Sequence, residues 1–155
     1  MRSHYLPLLL LLLFSSCRPD YSFQSKFTIE GNQWSYEEPV SFQFEAPDTS
    51  SFYTLWLSVG HLEEYAYQNM YVEISTIFPK GKSTNQVLSL DLADKFGRWE
   101  GKCRGGTCEV LIPLQTKVRF RDIGTHEVRI RQNTRDNPLE SISSFTLALQ
   151  KNPEA

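Results

Sequence analysis

Beyond its first stretch, this chain lacks any long apolar run. Nothing after Phe14 approaches the roughly twenty consecutive apolar residues that a membrane-spanning helix needs. It is poor in cysteine, with three in 155 residues and no C-x-x-C pair, which argues against redox-active thiols. A metal centre would need ligands that the sequence does not offer at recognisable spacing. Histidine is scarce too. Past the leader only His61 and His126 remain, neither in a nucleophile motif, and His61-Leu62-Glu63-Glu64 lacks the H-E-x-x-H geometry. Asp91 and Asp94 do not have the spacing of a calcium loop, and a turn held by Asp94 side-chain bonds to the following backbone is expected. There is no basic excess: 16 Lys and Arg stand against 18 Asp and Glu, which argues against nucleic-acid binding. No catalytic residue, cofactor site or metal site is expected, and the protein is not read as an enzyme.

What the chain has is an informative start, MRSHYLPLLLLLLFSSC. Arg2 supplies positive charge, Leu6–Phe14 an apolar run too short to span a bilayer, and Ser15-Ser16 two small residues directly before Cys17. This is a secretory leader ending in a bacterial lipobox rather than an A-x-A site. The reaction needs a thiol, because sulfur takes the diacylglyceryl group before the chain is cut on its amino side. Residues 1–16 are therefore read as a cleaved lipoprotein signal peptide, Cys17 as the lipid attachment site, and 17–25 as the lipidated cysteine and a short tether. Two or three acyl chains on one residue give firm attachment, where one chain is marginal. Arg18 stands at the position where Asp would signal inner-membrane retention, and no acidic cluster follows the cysteine. The expectation is an outer-membrane anchor facing the periplasm.

Residues 26–152 read as a single domain of period-two strands. Val40, Phe42 and Phe44 alternate with Ser41, Gln43 and Glu45. Tyr53, Leu55, Leu57 and Val59 form a second series, and Met70, Val72, Ile74 and Thr76 a third. Further series lie at Val87/Ser89 against Leu88/Leu90/Leu92, at Val128/Ile130 and at Phe145/Leu147/Leu149. Breaks at Ala46-Pro47-Asp48, Pro79-Lys80-Gly81 and Ile123-Gly124-Thr125 fit turns. Short alternating runs between such breaks predict an all-β, antiparallel β-sandwich, jelly-roll or immunoglobulin-like.

Three clusters are candidates for more than folding. Cys103 and Cys108 are an even pair outside the cytoplasm, joined by Arg104-Gly105-Gly106-Thr107, and a loop-stapling disulfide is expected. If Val118/Phe120 and Val128/Ile130 face the core in one hairpin, Arg119, Arg121, Arg129 and Arg131 share its outer face. That face is either solvated and laced with ion pairs to Asp122 and Glu127, or a docking surface for an acidic partner or lipid phosphates. Tyr65, Tyr67 and Tyr71 cluster around Asn69 and are candidates for stacking on sugars or anchoring a protein interface.

Taken in order, the chain resembles the gliding-motility lipoprotein family GldH of the Bacteroidota. The pieces are the lipobox; Trp34 followed by Val40-Ser41-Phe42-Gln43-Phe44; Tyr67-Gln68-Asn69-Met70-Tyr71; and Phe78-Pro79-Lys80-Gly81. They continue with Leu92-Ala93-Asp94-Lys95-Phe96-Gly97-Arg98-Trp99-Glu100-Gly101, Arg119-Phe120, and Gly124-Thr125-His126-Glu127-Val128-Arg129-Ile130-Arg131-Gln132-Asn133. The resemblance implies a lipoprotein accessory to gliding motility and the associated type IX secretion machinery, with envelope proteins of that complex as partners. It brings no catalytic activity or cofactor. The Cys103–Cys108 loop falls where such a family is expected to carry a polar hairpin, so the pair is read as local to this chain. The alternative is a carbohydrate-binding outer-membrane lipoprotein of a polysaccharide-uptake system, with the tyrosines as its platform.

Overall fold

A computed structural model describes residues 20–153; the signal peptide and Cys17 lie outside the described residues. Alternation decides which strands form and which way they face. In β3 (Val40–Glu45), Val40, Phe42 and Phe44 are buried and their neighbours exposed. The same rule runs through β5 (Asn69–Ile77), where Met70, Val72 and Ile74 point inward, and β9 (Thr125–Gln132), where His126, Val128, Ile130 and Gln132 do. In β6 (Ser83–Asp91) the inward series is Leu88 and Leu90, leaving Val87 outside. These four strands form an antiparallel sheet in the order β3-β9-β5-β6.

The second sheet has five strands. They are β1 (Tyr21–Thr28), β4 (Tyr53–Leu62), β7 (Lys102–Arg104), β8 (Thr107–Val118) and β11 (Ile142–Lys151), in the order β1-β11-β4-β8-β7, again antiparallel. A short pair, β2 (Gln33–Trp34) with β10 (Leu139–Glu140), closes one end. Among the described residues the helical structure is one 3₁₀ turn, Glu30–Asn32. The sheets bury a common core between them, with Trp34 against Phe145 at 4.6 Å and Leu57 opposite Leu147 across β4 and β11, all fully buried. The all-β, antiparallel sandwich expectation therefore holds.

Two expectations are corrected. The segment read as a tether over 17–25 carries β1 from Tyr21 onward, where Phe23 packs on Phe44 at 5.3 Å and pairs across to Leu149. Its alternation was hidden because β1 is an edge strand with mostly exposed residues. The arginine hairpin does not form. β8 pairs with β4 and β7, whereas β9 pairs with β3 and β5. Between them the chain crosses from one sheet to the other. The physical reason is Phe120, which is buried and plugs the end of the sandwich, with ring centroids 5.0 Å from His126, 5.6 Å from Tyr53 and 5.9 Å from Phe44. Burying that ring between the layers gains more than extending β8 into solvent would.

The sandwich thus has two distinct ends. Tyr21, Tyr53, Val118 and Lys151 lie together at the N-terminal end of the five-stranded sheet. Phe120 joins them to the Glu45–Thr125 end of the other sheet. His61, Tyr65, Trp99 and the cysteine loop lie at the far end.

Candidate functional site

The crossing separates the arginines. Arg129 and Arg131 remain on the outer face of the four-stranded sheet, opposite Ser41 and Ser75 for Arg129 and Glu73 for Arg131. Arg129 donates through Nη2 to Glu127 at 2.7 Å and through Nε at 3.1 Å. This is the intra-face ion pair expected of a solvated sheet. Arg119 and Arg121 sit in the connection between β8 and β9, at the N-terminal end, with the Arg119 guanidinium 5.9 Å from the Phe52 ring centroid. Asp122, expected as an arginine counter-ion, is instead held by Lys80 at 2.6 Å.

The tyrosines separate by strand parity and by burial. Tyr71 projects from the outer face of β5 and is 50% exposed. Tyr67 is also exposed, and its hydroxyl donates to Asp136. Tyr65 is not surface: it is 5% exposed, its ring is tilted against His61 and Trp99, and its hydroxyl donates to the Asn69 carbonyl at 3.1 Å. Its assignment to a partner-facing surface is therefore corrected. Burial pushes its phenol pKa upward, and the hydroxyl stays neutral.

Beneath Tyr65 lies a feature the sequence did not announce. His61 points inward from β4 and is fully buried. Its Nδ1 lies 2.9 Å from the Leu62 carbonyl. A carbonyl only accepts, so Nδ1 carries the proton, and Nε2 is left with no hydrogen-bond partner. The Trp99 ring stands 4.5 Å away and Tyr65 5.8 Å, neither charged. Desolvation pushes the His61 pKa below its ordinary 6.5, against a smaller opposing effect of the Leu62 carbonyl. The pocket is apolar and closed, so this is a neutral core histidine rather than a catalytic base.

Next to it, Cys108 pairs across β4 with His61 and across β7 with Cys103, to which its sulfur is joined. The Glu63 carboxylate lies within 4.8 Å of both sulfurs. With both sulfurs consumed in the bond, only the carboxylate is left as a ligand, and the group does not amount to a metal centre. The expected Asp94 turn is present. Its Oδ1 accepts the backbone N–H of Phe96 at 2.8 Å and of Arg98 at 3.0 Å, and these bonds, Arg98's first, hold its carboxyl below the usual range.

What emerges is a class: an antiparallel β-sandwich in which Asp94 holds a turn, Arg129 and Glu127 pair on an outer face and His61 packs in the core. Residues 21–149 match the GldH lipoprotein family, and the chain belongs to it. The protein is accordingly a lipid-anchored envelope protein of a family linked to gliding motility. It is 26% identical over 148 residues to a gliding motility lipoprotein GldH homolog of Christiangramia forsetii, covering 91% of this chain and 90% of that one. Among solved structures, a 4-O-methyl-alpha-glucuronidase with specificity for decorated arabinogalactans is 10% identical, with a TM-score of 0.44, and the match covers 88% of this chain and 18% of that one. The infectious bursal disease virus VP2 subviral particle is 12% identical at a TM-score of 0.32, covering 84% and 34%. Neither structural likeness is close enough to bear on function.

Proposed function

We propose that this protein is a non-catalytic accessory or assembly factor for gliding motility and the associated type IX secretion machinery. Cys17 holds it in the outer membrane, facing the periplasm. The observation that carries this reading is the family match, which runs from the first residue of β1 almost to the end of β11. The mechanism is confinement: tethering to one membrane raises the effective concentration of the protein around its envelope partners. The outer face of the four-stranded sheet, with Tyr71, Arg129 and Arg131, is the surface on offer to a protein partner. A glycan platform is less well supported, since burial removes Tyr65 from the tyrosine cluster.

Crosslinking and affinity capture of the lipidated protein from its native membrane tests the reading. Motility or secretion components are the expected catch. Recovery of glycan-import proteins, or of glycan alone, moves the assignment to polysaccharide uptake. In the same cells Cys17→Ala releases the protein from membranes; continued membrane partition refutes Cys17 as the anchor.

A further inference from the structure

β1 begins at Tyr21, four residues after Cys17. At no more than about 3.6 Å per residue, that connection reaches about 14 Å. The ten residues of β4 make the sandwich roughly 30 Å long. If Cys17 is the anchor, the N-terminal end is held within reach of the headgroups, and the far end stands well away from them.

The two ends differ in charge. At the N-terminal end the connections and strand termini present Lys82, Lys117, Arg119, Arg121 and Lys151, none of which enters an ion pair among the described residues. The carboxylates there are fewer: Asp20 and Glu45, the latter accepting from the Thr125 hydroxyl, join Asp48 and Asp122. Asp122 is paired with Lys80, and Asp48 accepts from the Tyr53 hydroxyl and from the N–H groups of Ser50 and Ser51. Among these cations stand two large apolar side chains, Phe52 at 49% exposure and Ile123 at 62%. Phe52, Lys117, Lys151 and Asn152 line a shallow groove, and Arg119 lies over the Phe52 ring. The far end has cations too, with Lys95 and Arg98 beside the exposed Phe96, but Glu37, Glu38, Glu63, Glu64, Asp136 and Glu140 in its loops and terminal strand outweigh them.

We propose that the N-terminal end of the sandwich is a membrane-facing surface. Lys117, Arg119, Arg121 and Lys151 contact the phosphates of the phospholipid layer that holds the anchor, while Phe52 and Ile123 sit at the headgroup–acyl boundary. Each cation beside an anionic surface strengthens attachment about fivefold, and apolar side chains in this layer add to it. The acidic far end is repelled by the same surface, so charge and tether set one orientation. This leaves the outer face of the four-stranded sheet standing sideways, open to a protein partner. The proposal rests on the reading of Cys17 as the anchor.

The test uses the full chain, processed and lipidated in cells, purified and reconstituted into liposomes of phosphatidylethanolamine with phosphatidylglycerol. Photoreactive benzoylphenylalanine is placed at Phe52, at Ile123 or, as the far-end control, at Phe96, which is 72% exposed. The expected result is phospholipid adducts at Phe52 and Ile123, about tenfold above Phe96. Combining Lys117→Glu, Arg119→Glu and Lys151→Glu removes about a hundredfold of attachment on the same per-cation scale and brings those adducts down to the Phe96 level, while the protein still floats with the liposomes. Flotation with no excess of adducts at Phe52 and Ile123 overturns the orientation and leaves the anchor standing. So does a charge-reversed variant with unchanged yields. A protein that does not float overturns the anchor and the orientation with it. Protein–protein adducts at both positions in native membranes, without lipid adducts, assign this end to a protein partner instead.

Discussion

Acid should weaken this fold through His61 before it reaches the carboxylates. The imidazole is fully buried and donates from Nδ1 to the Leu62 carbonyl, while Nε2 has no partner. Protonating Nε2 would place a second N–H, and a charge, in an apolar pocket against Trp99 and Tyr65. The folded pKa is therefore depressed below the ordinary 6.5. Below that value the unfolded chain binds a proton that the folded chain refuses, so stability falls as pH falls. One such proton costs at most about 1.4 kcal/mol per pH unit, which is at most about 2 kcal/mol between about pH 7.5 and pH 5. Over that window the shifted carboxylates contribute little, because the ordinary pKa of 3.8 for Asp48, Asp94 and Asp122 and of 4.5 for Glu37 and Glu127 lies below it. The assay is urea unfolding followed by tryptophan fluorescence across the window, on the native chain and on His61→Asn. The asparagine amide places an N–H near the Nδ1 position and does not titrate. Even if the substitution lowers stability throughout, the Leu62 carbonyl keeps the Tyr65 N–H at 3.0 Å as a donor. The expected result is a slope in the native chain that is absent in the variant. A flat native profile, or a variant that keeps the slope, refutes the buried neutral histidine.

Other perturbations test register and covalent structure. Leu147→Ala removes a fully buried side chain opposite Leu57 and should cost about 3–5 kcal/mol, whereas Leu111→Ala, on the outward side of β8, should cost less than about 1 kcal/mol; equal losses in denaturant melts would mean that the assigned facing is wrong. Thiol labelling of the oxidised, denatured mature protein should find no free sulfhydryl at Cys103 or Cys108. Replacing both with serine should lower stability by about 2 kcal/mol on the loop-closure model, and full labelling of both would end the disulfide. Gly101→Ala should destabilise by more than about 2 kcal/mol, because φ is +82° and the new Cβ would meet the Glu109 carbonyl oxygen at 2.2 Å; an unchanged melting temperature would place that turn elsewhere.

Local pattern carried much of this protein. Alternation is a property of neighbouring residues, since successive side chains on a strand point to opposite faces. Val40/Phe42/Phe44, Met70/Val72/Ile74 and Phe145/Leu147/Leu149 were therefore legible as buried series before any pairing was known. The Asp94 turn was legible for the same reason, as its bonds close within four residues. Leu6–Phe14 and Ser15-Ser16-Cys17 likewise carry their signal within a few positions.

Which sheet each strand joins is not local. The segments 118–121 and 128–131 satisfied hairpin parity, yet they belong to different sheets because burying Phe120 between the layers outweighs continuing the strand. That one crossing divided the arginines into an ion-paired face and a basic end. Tyr65 and Tyr67 lie two residues apart, yet one is core and the other surface, because Trp99 arrives from 34 positions away to cover the first beside His61. Lys117 and Lys151 are 34 positions apart and meet only because β8 and β11 flank β4 and end together. Sequence alone determined the strongly alternating strands, their facing and the signature of an anchored lipoprotein, because those signals lie in neighbouring residues. Only the tertiary structure decided which charges share a surface, because side chains remote in sequence become neighbours only when the sheets assemble around a common core.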